Sequence, residues 1–87
     1  MAKRGRKLPP LTAADFKRVL RAAGWLPVPG TKHLAYEHPD RPDKVNIDDK
    51  WTHVKPGSWV FRSVVVDQAG MTRREFEDLY WKTRKGR

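Results

Sequence analysis

Residues 25–48 of this chain read WLPVPGTKHLAYEHPDRPDKVNID. Two turn signals divide this stretch: Pro29-Gly30, and the segment 38–43, whose two prolines and two aspartates cannot continue a strand. The segments between the turns alternate apolar and polar residues, as strands with one buried face do. We therefore predict an antiparallel meander of three strands, with residues 32–37 in the middle.

The middle strand is expected to present different side chains to its two faces, because successive side chains alternate. Leu34 and Tyr36 are predicted to face the core. His33, Ala35 and Glu37 then lie on the opposite, open face or at its rim. The first strand contains a proline and is expected at an edge. In the third strand, Val45 and Ile47 are expected to face inward, and His38 is expected to cap the turn between the second and third strands.

Clear helix signals lie on both sides of the meander. Thr12 is the expected N-cap of a first helix, with Asp15 completing a capping box and Gly24 ending the helix. Near the C-terminus, Thr72 and Glu75 form a second capping box before a helix at about 73–83. Apolar residues at helical spacing form one stripe on each helix: Phe16, Val19, Leu20 and Ala23 on the first, and Phe76, Leu79 and Tyr80 on the last.

The segment from Ser58 to Gly70 allows two interpretations. Its valines and aromatic residues favour strands by composition. Its length of about 12 residues and a broken alternation favour a helix with Ser58 as N-cap, and we predict a helix. A shared helical face then holds Trp59, Ser63, Val66 and Ala69. The aromatic and apolar side chains expected in the core are Trp25, Trp59, Phe16, Phe61, Leu79 and Tyr80.

The predicted order is α-β-β-β-α followed by a short C-terminal helix, a two-layer α+β sandwich. Residues 11–82 form one domain, between a flexible basic arm at 1–10 and a basic tail at 83–87. The chain has no cysteine, so disulfides and thiolate metal sites are excluded. It has no long apolar run, so we expect a cytoplasmic protein without a membrane segment.

The net charge of +9 is concentrated at the two ends of the chain. Such clusters attract a polyanion, because Lys and Arg contacts to phosphates release counterions. Solubilising tails are the alternative reading. The basic residues of the two ends are Lys3, Arg4, Arg6, Lys7, Lys82, Arg84, Lys85 and Arg87.

A set of short motifs in fixed order resembles the HicA family of small toxins, also called YcfA-like. The motifs span about residues 13–80: an Ala-Gly-Trp helix end, Gly30-Thr31-Lys32-His33, Tyr36 with His38-Pro39, a Val-Asn-Ile strand, Lys55-Pro56-Gly57-Ser58, and Gln68-Ala69-Gly70 before a Glu-Phe helix. In the commoner Gly-Ser-His form of the turn, histidine stands third, where this chain has Lys32. The spacing to Tyr36 and His38-Pro39 favours the four-residue form.

The resemblance implies a double-stranded-RNA-binding-like fold and a type II toxin–antitoxin system. It implies an mRNA interferase, an endoribonuclease that needs no metal or other cofactor and is neutralised by a HicB-type antitoxin. The catalytic residue it implies is the histidine of the glycine turn, which is His33 here. The basic ends of the chain lie outside the family core.

Metal-independent RNA cleavage needs proton transfer and a cation near the phosphate. An unperturbed imidazole, with a pKa of about 6.5, suits proton transfer. Lys32 could supply the cation beside Thr31 of the same turn, and Glu37 or His53 could act as a second proton-transfer group. Trp51, in a polar loop, is the aromatic residue expected to contact RNA. The three histidines lack zinc-site spacing, so no metal is expected.

Two other functions remain open from the sequence. A non-catalytic RNA- or DNA-binding module would use His33 only as a contact. A protein-interaction subunit would bind neither RNA nor DNA. Multiple turnover separates the enzyme from the binding module, and a salt-dependent affinity separates the binding module from the interaction subunit.

Overall fold

A computed structural model of the chain describes residues 8–32 and 34–85, with the backbone alone at Lys85. The predicted α+β class and the element order are confirmed within this part of the chain. The last helix begins at residue 73, as predicted, and continues to residue 85, two residues beyond its predicted end. In chain order the elements are α1 (Ala13–Ala22), β1 (Leu26–Pro27), β2 (Ala35–Glu37), β3 (Val45–Asn46), α2 (Trp59–Arg62), a π-helix (Ser63–Gln68) and α3 (Arg73–Lys85).

The three strands form an antiparallel sheet in the order β1-β2-β3, as predicted. Pro27 pairs with Tyr36, and Tyr36 pairs with Val45, so these three residues share the face that meets the core. Tyr36 and Val45 are buried there. The π-helix packs next to β3. The β1 strand is an edge strand, as its proline suggested.

The opposite face of the sheet carries the pairs Leu26–Glu37 and Ala35–Asn46. Leu26, Glu37 and Asn46 are exposed, which confirms an open face with Glu37 on it. Ala35 is an exception, because only 8% of its surface is exposed. Part of this face is therefore covered.

The outer edge of β3 is also covered. The Asn46 N–H points away from β2 and donates to the Gln68 side-chain carbonyl at 3.0 Å. Gln68 in turn donates to the Ser63 hydroxyl within the π-helix. A single glutamine thus satisfies an edge amide that would otherwise be open to pairing with another strand.

The first helix begins and ends at the expected residues. The Thr12 hydroxyl accepts from the Asp15 N–H at 3.2 Å, and the Asp15 carboxylate accepts from the Thr12 N–H at 2.9 Å. At the other end, the Trp25 N–H donates to the Leu20 carbonyl across Gly24, whose φ is 98°. This is a Schellman motif, which requires the left-handed conformation that glycine adopts without penalty.

Three phenylalanine rings join the helices into one core. Phe16 of α1 lies 6.3 Å from Phe61 of α2 and 5.6 Å from Phe76 of α3, measured between ring centroids. Phe61 and Phe76 are 5.2 Å apart. All three side chains are buried. The packing of the C-terminal helices on α1 therefore depends on these rings.

The predicted helix after Ser58 is confirmed, but its buried face was wrongly assigned. Phe61, Val64 and Val65 are buried, whereas Trp59 is 81% exposed. A helix turns by about 200° over two residues, so a stripe that begins at Phe61 leaves Trp59 on the opposite side. After Arg62 the helix widens, since the Ala69 N–H donates to the carbonyl of Val64, five residues earlier.

Candidate functional site

Thr31 holds the connection between β1 and β2 in place. Its hydroxyl and its N–H both donate to the Val28 carbonyl, at 2.7 and 3.3 Å. The same hydroxyl oxygen accepts from the Ala35 N–H at 3.4 Å, and the Thr31 carbonyl accepts from the Leu34 N–H at 3.0 Å. These bonds hold residues 28–32 and Leu34 in two successive turns.

These turns correct the predicted length of the second strand. The sequence predicted a strand over residues 32–37, but β2 begins at Ala35. Thr31 and its neighbours bond to one another within the turn and so cannot pair with β1. Leu34 is consequently only half-buried. Lys32 belongs to the turn and does not face the core.

Lys32 has an unusual backbone conformation. Its φ is 57°, and it is the one non-glycine residue with a positive φ in the part of the chain that the structure describes. A left-handed residue with a side chain costs about 1–2 kcal/mol. Such residues persist where the surroundings fix them, and they cluster at functional sites. The Lys32 side chain is exposed.

His33, the residue expected to act in catalysis, lies outside the described residues. Its neighbours in the chain, Lys32 and Leu34, are described. The role of His33 therefore stays a prediction.

The two candidate partners of His33 lie in different places. β2 continues for roughly 7 Å beyond Ala35 before it reaches Glu37, which is therefore at the end of the strand remote from the turn. The Ile47 N–H donates to the Leu34 carbonyl at 2.7 Å, so the chain leaves β3 at the turn's end of the sheet. The loop that follows leads to His53, whose side chain is exposed.

Trp51 is partly structural. Its ring packs edge-on against Phe16, with the centroids 5.5 Å apart, and its carbonyl accepts the Ala13 N–H. The side chain is half-buried. Only part of its surface is thus available to a ligand.

The predicted basic contacts are divided between the described and undescribed parts of the chain. Lys82 and Arg84 are exposed on α3, and Lys85 is its last residue, so helix extends into the region predicted as a tail. The Arg84 guanidinium lies 5.8 Å from the centroid of the Tyr80 ring. The contacts predicted for the arm lie outside the described residues: Lys3, Arg4, Arg6 and Lys7.

A cleft around Trp59 was missed by the sequence reasoning, which placed this side chain in the core. The cleft has a volume of about 380 Å³ and is lined by Gly57, Trp59, Arg62, Ser63 and Asp67. The helical spacing of Phe61, Val64 and Val65 could have identified the cleft, because a buried face made of these residues leaves Trp59 on the exposed side. We call these five lining residues the Trp59 cleft.

A second cavity, of about 460 Å³, lies between the β2–β3 connection and α3. His38 packs there against Trp25, with ring centroids 5.3 Å apart, and its Nδ1 accepts the Asp40 N–H at 3.0 Å. His38 therefore caps the turn, as expected. Arg41 reaches over Gly70, where a Cβ atom would clash with the guanidinium. The cavity therefore lies between the β2–β3 turn and the start of α3.

Comparison with protein-family models, with curated proteins and with solved structures finds no match to this chain. The function is therefore argued from the chain's own residues. Among the described residues, no group of three or more His, Asp or Glu side chains is placed to hold a metal ion. No helix in the same part of the chain is long and apolar enough to cross a membrane.

Proposed function

We propose that this protein is a metal-independent endoribonuclease of the HicA type, with His33 as general acid or base and Lys32 beside it. The observation that carries the proposal is the left-handed conformation of Lys32, the residue before His33 in the sequence, next to the hydrogen bonds of Thr31. Left-handed residues that carry a side chain cluster at active sites and ligand clamps.

The reaction requires two proton transfers, one from the attacking 2′-hydroxyl group and one to the leaving 5′-oxygen. A base removes the proton of a ribose 2′-hydroxyl, the 2′-oxygen attacks the phosphorus, and the bond to the 5′-oxygen breaks. The leaving oxygen takes up a proton, which gives a 2′,3′-cyclic phosphate and a 5′-hydroxyl. His33 supplies one of these transfers. The exposed Lys32 ammonium stabilises the charge that develops on the phosphoryl oxygens.

The architecture supports the same proposal. The order α1-β1-β2-β3-α2 and the antiparallel meander are those that the resemblance implies, and we propose a double-stranded-RNA-binding-like fold. The net charge of +9 suits an RNA substrate. We propose His53 or Glu37 as the second proton-transfer group. The side chains of both are exposed.

The test is cleavage of a long single-stranded RNA in EDTA by the wild type and by His33→Ala. We expect cleavage by the wild type and a loss of about 10²-fold or more in the variant. The same sequence made as DNA has no 2′-hydroxyl and should stay intact. His33→Ala, purified in parallel, also controls for contaminating ribonuclease.

Two outcomes would contradict this proposal. Undiminished cleavage by His33→Ala would transfer the catalytic role to another residue, and His53→Ala and Glu37→Ala would then be tested. If the wild type binds RNA but does not cut it, the protein is a non-catalytic nucleic-acid-binding module.

We further propose that the protein acts as the toxin of a toxin–antitoxin pair, on mRNA in the cytoplasm, and is neutralised by a HicB-type antitoxin. Expression of the wild type should arrest the growth of a bacterial host, and His33→Ala should not. Co-expression of the antitoxin encoded next to the gene should restore growth. Arrest that persists in His33→Ala would separate toxicity from RNA cleavage.

A further inference from the structure

Trp59 is the most exposed of the large apolar side chains among the described residues. It stands at the beginning of α2, one residue after Ser58, whose hydroxyl accepts the Phe61 N–H at 3.3 Å and fixes the start of the helix. Its neighbour on the core side, Phe61, is buried. The indole is thus held on a rigid element and points away from the core.

The helix aligns three side chains of the Trp59 cleft. Residues three and four apart are neighbours on a helix surface, so Arg62 and Ser63 lie beside Trp59. Arg62 is exposed, and it has no ion pair within the described part of the chain. An unpaired guanidinium next to an exposed indole is an arrangement that binds a phosphate and its base together.

A second guanidinium approaches from α3. The Arg73 Nε bonds to the Glu77 carboxylate at 3.1 Å, which holds the arginine in place. Its Nη1 lies next to Gly57, where a Cβ atom would come within 3.2 Å. The absence of a side chain at Gly57 therefore gives this guanidinium room at the edge of the cleft.

The other groups that line the cleft are polar. Asp67 repels a phosphate, but its carboxylate can accept a hydrogen bond from a base amino group or from a ribose hydroxyl. Ser63 can donate or accept. Large contiguous apolar patches mark protein-interaction sites, whereas this exposed indole is surrounded by Arg62 and Asp67, with Arg73 at the edge. The charges around Trp59 thus favour a nucleotide over a protein.

We propose that the Trp59 cleft binds one nucleotide of single-stranded RNA. The base stacks on Trp59, Arg62 and Arg73 contact the flanking phosphates, and Asp67 accepts a hydrogen bond from the base or ribose. This inference deepens the proposed function, because it assigns a binding site for the RNA substrate apart from the catalytic turn. Stacking on an aromatic side chain tolerates all four bases, so the cleft adds affinity without sequence preference.

The test measures the binding of a fluorescein-labelled 12-nucleotide RNA by anisotropy at several salt concentrations. All proteins carry His33→Ala, and gels confirm that the RNA stays intact. We expect Trp59→Ala to weaken binding about 5- to 150-fold, with the same dependence of log affinity on log salt. Arg62→Ala should reduce that slope by about 0.7, the value for one phosphate contact on a single strand.

Matched variants test whether the effect belongs to the cleft. Trp59→Phe retains an aromatic face and should recover part of the affinity. Val66→Ala removes an exposed apolar side chain from the same helical stretch, outside the cleft, and should bind as the parent does. Asp67→Asn removes the negative charge that repels phosphate. The largest loss of affinity expected from this variant is that of one hydrogen bond. Circular dichroism checks that each variant is folded.

Equal affinity of Trp59→Ala and its parent would overturn the inference. Loss of antitoxin binding with unchanged RNA binding would do the same, and would assign the indole to a protein interface. The two proposals can fail separately. Cleavage that needs His33 with no effect of Trp59 removes the cleft alone, whereas RNA binding through Trp59 without any cleavage removes the enzyme and keeps the cleft.

Discussion

The turn between β1 and β2 and the Trp59 cleft hold the side chains of the two proposed sites in different ways. In the turn, Thr31 uses its backbone and its hydroxyl to fix the backbone around Lys32. In the cleft, Trp59 and Arg62 project from a helix whose own hydrogen bonds hold it. Backbone-fixed geometry suits proton transfer, which needs groups placed within hydrogen-bond reach. Stacking tolerates more variation, and side chains on a helix suffice for it.

This contrast separates the roles that substitutions should affect. A change in the turn should alter the rate of cleavage, and a change in the cleft should alter the affinity for RNA. A residue that only supports the core should alter neither until the protein unfolds.

The largest expected effect distinguishes the two aromatic residues of α2. Phe61→Ala removes a buried ring that contacts Phe16 and Phe76, and should lower the free energy of unfolding by about 3–5 kcal/mol. Trp59→Ala removes an exposed ring and should change it by less than about 0.5 kcal/mol. Urea denaturation followed by circular dichroism measures both. Comparable losses would show that Trp59 packs in the core after all.

A pair of glycine substitutions compares the turn with the cleft at equal backbone strain. Gly30 and Gly57 have φ values of 84° and 86°, so alanine should cost each about 1–2 kcal/mol of stability. A Cβ atom at Gly30 meets no atom within 4 Å, whereas at Gly57 it lies 3.2 Å from the Arg73 guanidinium. We therefore expect Gly57→Ala to weaken RNA binding and Gly30→Ala to leave binding unchanged.

Urea denaturation measures the stability of the two glycine variants, and the anisotropy assay measures their affinity for RNA. A much larger stability loss at Gly57 would mean that Arg73 cannot move away from the new methyl group. Equal effects of the two substitutions on RNA affinity would argue against a role for Arg73 in the cleft.

The smallest expected effect concerns the strain at Lys32. Glycine adopts a φ of 57° without the penalty that a side chain carries, although it also has more freedom in the unfolded chain. Lys32→Gly should therefore raise the free energy of unfolding by up to about 1 kcal/mol. It should also slow RNA cleavage, because the ammonium group is lost.

Lys32→Ala provides the control for this trade-off, since it removes the same charge and keeps the strain. It should slow cleavage to the same extent without added stability. If Lys32→Gly were both more stable and fully active, the strained conformation would have no connection with catalysis.

Much of the fold follows from local signals in the sequence. Thr12, Asp15 and Gly24 mark the ends of α1, and Thr72 and Glu75 mark the start of α3, because capping depends on residues within one turn of the helix end. The turn residues around β2 likewise fixed the strand order. Local chemistry determines these features with little help from the rest of the chain.

The errors arose where distant contacts decide. The sequence placed Trp59 in the core because tryptophan is apolar, but the Phe16–Phe61–Phe76 contacts set the rotation of α2 and turn Trp59 outward. Similarly, alternation predicted a strand from residue 32, whereas the bonds of Thr31 to Val28 and Ala35 delay its start.

The sequence alone determined the element order, the ends of α1, the start of α3, the basic charge and the turn at Gly30. Folding then decided which faces of the helices are exposed, where β2 begins, and that Lys32 is left-handed. The physical reason is the range of the interactions. Caps and turns act over three or four residues, but the rotation of a helix and the burial of a ring depend on partners 15 to 60 residues away in the chain, as with Phe16, Phe61 and Phe76.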